Sequence, residues 1–172
     1  MTDKRFSGDY ILGIVIGVFA TWLIHEFAHW LTSESLGYDS IMTLNGVSAE
    51  VGVEVKEKHK LWISAAGPII TIVQAFMAYF ALQFRKWNKY IYVVLFTAFY
   101  MRFAAGIMNV ISLNDEGRIG ESLGIGKFTI PLIVSAFLFY LVYKVSRGNK
   151  LKWKFQLATT IAVIVFSSLL II

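Results

Sequence analysis

Residues 10–31 read YILGIVIGVFATWLIHEFAHWL. As a helix the run is long enough to cross a hydrocarbon layer about 30 Å thick, which takes about 20 apolar residues. It carries no charge up to Ile24, then places His25, Glu26 and His29 within a little over one helical turn. An ionisable group left in hydrocarbon without a partner costs on the order of several kcal/mol. The stretch that makes the chain a membrane protein therefore also demands a partner for its polar side chains.

The rest of the chain has the same character. Of its 172 residues 57% are hydrophobic and 16% charged, and the mean hydropathy is +0.64. A soluble domain of this length carries more charge and fewer apolar residues. Apolar runs predict five spans, at about 10–31, 61–84, 91–113, 127–146 and 154–172. The expected fold is an all-α polytopic membrane protein, a single membrane-embedded domain over 1–172. Lys4 and Arg5 before an apolar run imitate a signal peptide. No small-x-small cleavage site follows, so the run is expected to stay as the first span. With no cysteine, neither a disulfide framework nor a thiolate metal site can form.

The net charge of +5 is not the signature of a nucleic-acid partner, because the basic residues flank the spans. Lys4, Arg5, Arg85, Lys86, Lys89, Lys144, Arg147, Lys150, Lys152 and Lys154 fall on one side. Lys56, Lys58, Lys60, Arg118 and Lys127 fall on the other, and Arg102 lies inside the third span. Basic residues accumulate on the cytoplasmic side, so the N-terminus is expected there and the C-terminus outside. The expected location is a prokaryotic cell membrane. Between the first two spans, SIMTLNGVSAEVGVEV from Ser40 alternates apolar and polar residues after Asn45-Gly46. That pattern predicts a small β-hairpin with Asn45-Gly46 as its turn.

His25 and His29, four apart, project from one helix face and suit one zinc ion, with Glu26 placed to act on a water the metal activates. Gly13, Gly17 and Thr21 continue the same ridge, small enough to let another helix close over the site. Along a helix from Tyr10, His25 lies about 22 Å in, which puts the site nearer the outer face. Zinc needs a third protein ligand and an open position. Asp115 and Glu116, following the third span, reach that depth, whereas Glu34, Asp39, Glu50, Glu54 and His59 lie in the polar connection. The second span shows a small, polar face of Ser64, Pro68, Thr71, Ala75 and Ala78, and the third a stripe of Arg102, Gly106 and Asn109.

Three segments together resemble the site-2 protease family of intramembrane zinc metalloproteases. They are HEFAHWLTSESLGY from His25, SAAGPIITI from Ser64 and NVISLNDEGRIGESLG from Asn109, and the likeness spans about residues 10–125. The resemblance implies one zinc ion bound by His25, His29 and Asp115, with Glu26 as the catalytic carboxylate and Asn109 assisting the substrate or its oxyanion. It implies a zinc metalloendopeptidase whose partners are the bilayer and a transmembrane or membrane-anchored protein substrate. The chain departs from the family pattern at Thr71, where asparagine is common, and at Glu116, where glycine usually follows the aspartate. It also lacks the usual prolines between Asn109 and Asp115. The rival readings are a membrane metal-binding or transport protein, and a proteolytically inactive relative that binds transmembrane helices.

Overall fold

The computed structural model describes residues 4–171. The order of elements is α1 (Gly8–Ser35), β1 (Ser40–Thr43), β2 (Gly46–Ala49), α2 (Glu57–Phe84), α3 (Lys89–Met108), α4 (Asp115–Ser122), α5 (Thr129–Gly148) and α6 (Trp153–Ile171). The five helices α1, α2, α3, α5 and α6 are long and apolar enough to cross a membrane. The chain is thus a polytopic membrane protein with a two-stranded hairpin between its first two spans.

The outer surface explains why lipid must be the solvent. Leu12, Ile16, Phe19, Leu23, Phe27 and Leu31 follow one another every three or four residues along α1, each more than 40% exposed. Such an apolar ridge on a water-soluble monomer would drive association. The opposite face, from Tyr10 and Ile14 through Gly17, Thr21, His25 and His29 to Ser33, is buried. It packs on α2 and α3, with α6 also against α1 and α5 against α2 and α3. A Cβ on Gly17 would come within 2.7 Å of Val93 Cγ1, so α3 can lie this close only where α1 is bare. Stacked Tyr10 and Phe155 rings, 5.1 Å apart, and a 3.0 Å bond between the hydroxyls of Tyr10 and Thr159 fasten α6 to the start of α1.

α1 stops at Gly37, whose φ of +85° is a conformation that suits glycine. The Gly37 amide donates to Glu34 O and the Tyr38 amide to Ser33 O, the paired bonds that close a helix C-terminus. The chain then runs into the hairpin, which the Glu34 carboxylate ties down by accepting from the Ser40 amide at 2.8 Å.

Several expected boundaries are corrected. Thr43 pairs with Gly46, so the hairpin turn is Leu44–Asn45 and Gly46 already belongs to β2. The Thr43 hydroxyl donates to Gly46 O across that turn, and Gly46 does not use a positive φ. The alternation from Val51 to Val55 is not strand: Gly52, at φ +92°, turns the chain after Ala49. The third span ends at Met108 rather than 113, and the short α4, which apolar length alone could not reveal, follows it. The expected end of the last span, residue 172, lies outside the described residues.

Candidate metal centre

Three elements bring one side chain or pair each to a common point. α1 supplies His25 and His29, α2 closes over them, and Asp115 arrives as the first residue of α4. His25 Nε2 and His29 Nε2 are 3.1 Å apart. Asp115 Oδ2 lies 3.3 Å from the first and 3.2 Å from the second. The three atoms form a nearly equilateral triangle. Ligands about 2.0–2.1 Å from a tetrahedral zinc stand about 3.3 Å from one another, so the triangle has the dimensions of one face of that tetrahedron.

Hydrogen bonds on the far sides of the rings fix what these atoms are. The Thr71 hydroxyl donates to Gly67 O at 2.9 Å, which leaves its oxygen to accept from His25 Nδ1–H at 3.0 Å. His29 Nδ1–H donates to Ile63 O at 2.6 Å, in the helical turn preceding Pro68. Arg102 Nη2 approaches His25 Nδ1 only to 3.5 Å, the outer limit for a bond. With both Nδ1 atoms donating, a neutral imidazole turns a bare lone pair inward. Two such lone pairs and a carboxylate oxygen facing one another repel unless a cation or a proton lies among them. The donor set and its spacing fit a divalent metal.

α2 can approach the rings because of Gly67. A Cβ there would run into His29 Nε2 and the His25 ring. Buried Ser64, Gly67, Pro68 and Thr71 thus form the roof of the site, the small, polar face expected for this span. Asp115 is fixed in turn: Arg118 Nη2 donates to its Oδ1 at 2.6 Å, leaving Oδ2 to face the histidines. Burial disfavours charge on Asp115, but the adjoining His25 and His29 outweigh it and hold its carboxyl well below the usual range.

Glu26, 6% exposed, lines the same cavity as His25, His29 and Asp115, a space of about 410 Å³. Its walls include Trp22, Met101 and Arg118, with the hairpin residues Asn45, Gly46 and Val47 over it. Of the two expected third-ligand candidates, Asp115 completes the triangle. Glu116 is 1% exposed and accepts from Arg102 Nη1 at 3.1 Å, which also accounts for the arginine inside a span. Asn109 is buried away from the cavity wall. Its Oδ1 accepts from the Asn114 amide at 2.9 Å and its Nδ2 donates to Lys127 O, so its amide braces the turn that delivers Asp115. Glu34 and His59 are engaged in the hairpin region, the latter with the Tyr38 hydroxyl at 2.7 Å, and Asp39, Glu50 and Glu54 are exposed.

Sequence reasoning passed over Arg118, counting it only as a topology charge. Its position three residues after Asp115 on a helix was the available signal. No protein-family model, curated protein or solved structure matches the chain, and the chemistry of the site rests on its own side chains.

Proposed function

We propose that the protein is an intramembrane zinc metalloprotease that hydrolyses peptide bonds of membrane-embedded or membrane-proximal substrates. The observation that carries this reading is the triangle of His25 Nε2, His29 Nε2 and Asp115 Oδ2, 3.1–3.3 Å on a side, beside a buried glutamate in one cavity. His25, His29 and Asp115 hold the ion, and Thr71, Ile63 O and Arg118 hold these ligands in place. When bound, zinc supplies Lewis-acid polarisation of a carbonyl and a nucleophilic water at neutral pH.

Glu26 takes the proton of the attacking water and delivers it to the departing amine. The triangle alone would suit a metal carrier, and a carrier has no use for this carboxylate. A helical substrate keeps its peptide bonds in intrahelical hydrogen bonds and must unwind before it can be cut. The Gly46–Val47 segment of β2 lies over the cavity and offers a sheet edge to which an unwound segment can add. Asn109 serves by holding the turn before α4.

The site sits at the end of the bundle with few basic residues, about 15 Å along α1 from its C-terminus, so water has a short route from outside the cytoplasm. The test is Glu26→Gln in lipid nanodiscs. The variant is expected to keep one zinc ion and to lose cleavage of a membrane substrate by at least about a thousandfold. Cleavage that survives with zinc in place overturns the mechanism, and metal flux into proteoliposomes surviving the same substitution favours a carrier.

A further inference from the structure

We infer that Arg118 is a specificity residue, selecting substrates that carry a carboxylate beside the scissile bond. The inference rests on the protease reading above, because it assigns the cavity to a peptide. Arg118 lies on the cavity wall with its side chain 52% exposed, whereas Arg102 in the same wall is buried. Three bonds hold it rigidly. Nε donates to Ser64 Oγ at 3.2 Å, Nη1 to Leu113 O at 3.1 Å and Nη2 to Asp115 Oδ1 at 2.6 Å.

A guanidinium has five N–H donors, so one hydrogen on each terminal nitrogen is left for a ligand. A carboxylate can accept from such charged donors. Arg118 thus offers the cavity two charged N–H donors.

Charge gives the same answer. Asp115 and Glu26 offset a divalent ion between them, and Glu116 offsets Arg102. Arg118 is the charge left over once its aspartate partner ligates metal. Half-exposed and held by three bonds, it would leave the cavity cationic beside Asp115 with a divalent ion bound. An acidic side chain one residue from the cut, or a free C-terminal carboxylate near it, neutralises that charge. A lysine or arginine there is repelled.

The test uses the full chain, zinc-loaded in nanodiscs, in a Glu26→Gln background so that turnover does not intervene. Three acetylated pentapeptides of leucine, valine and alanine are compared by equilibrium binding. One is C-terminally amidated with a central aspartate, one is amidated with a central asparagine, and one has only uncharged side chains and a free C-terminal carboxylate. The aspartate peptide is expected to bind about tenfold tighter than the asparagine peptide, the yield of one charge-assisted contact at a partly exposed site. Tighter binding of the third peptide instead identifies a terminal carboxylate as the source.

In Arg118→Gln, compared at a zinc concentration that loads both proteins, the preference is expected to collapse to within about twofold. In Arg118→Lys, which keeps the charge, part of it is retained. An arginine that only positions Asp115 would alter zinc affinity and leave the peptide ratio unmoved. Equal binding of the first two peptides, a preference that persists in Arg118→Gln, or no binding by any peptide overturns the inference. Arg118-dependent binding by a protein that never cleaves these or other membrane peptides refutes the protease reading alone.

Discussion

Single atoms decide whether the metal centre exists, and the most telling are not ligands. Thr71 Oγ1 is the acceptor that turns the His25 lone pair inward. Thr71→Val keeps the shape and removes the acceptor, so zinc affinity is expected to fall by about tenfold with the fold intact, the usual effect of losing a partner behind a ligand. Competition with a chromophoric chelator measures it, and unchanged affinity would mean that the ring is oriented by packing alone. Gly67 gives a sharper case. Gly67→Ala should favour the helix by about 0.5–1 kcal/mol, yet its Cβ would enter the space between the imidazoles. The expected outcome is a helical protein that no longer retains zinc. The His-Glu-x-x-His spacing was legible in the sequence because i and i+4 share a face whatever the tertiary structure. The role of Gly67 was not legible, since it depends on which helix lies opposite.

Elements bring distant residues together, and here α4 matters most. Its sequence, DEGRIGES, is eight residues long with low helical propensity and one large apolar residue, Ile119, so apolar length did not point to it. The glycines that weaken it are needed for contact. A Cβ on Gly117 would strike the Asn109 amide, and one on Gly120 the Gly126 carbonyl. What holds α4 is the buried pair of Arg102 and Glu116, 3% and 1% exposed. The arginine stripe in the third span announced that a partner was needed, and three dimensions were required to show that Glu116 answers it while Asp115 stands against the two histidines. Arg102→Met would strand a buried carboxylate, and such losses cost about 3–5 kcal/mol. The double variant Arg102→Met with Glu116→Leu should recover most of that stability in thermal unfolding, because apolar replacements of buried pairs are commonly neutral. If the double variant is as unstable as the single one, the charges contribute more than mutual neutralisation.

At the scale of the whole molecule, the five long helices were legible because hydrocarbon permits little else: every backbone amide must be paired within its own segment. The hairpin was legible in kind but not in register, as its turn is set by the Thr43 hydroxyl and not by a glycine at positive φ. The same topology fixes where the site opens. The C-terminus of α1, the N-terminus of α2 and the C-terminus of α3 share an end with α4 and the hairpin, and all of them border the cavity. The opposite end collects Lys4, Arg5, Arg85, Lys86, Lys89 and the basic residues of 144–154. Basic residues resist translocation, so this end is expected in the cytoplasm, with the cavity facing away from it. Because α6 runs back toward the cavity end, a reporter active only outside the cytoplasm, fused after the last residue, should be active. An inactive reporter there, with a cytoplasmic one active in its place, would invert the molecule. The site would then draw its water and its substrates from the cytoplasm, and the carboxylate that Arg118 is proposed to select would have to lie at the cytoplasmic border of a substrate's span.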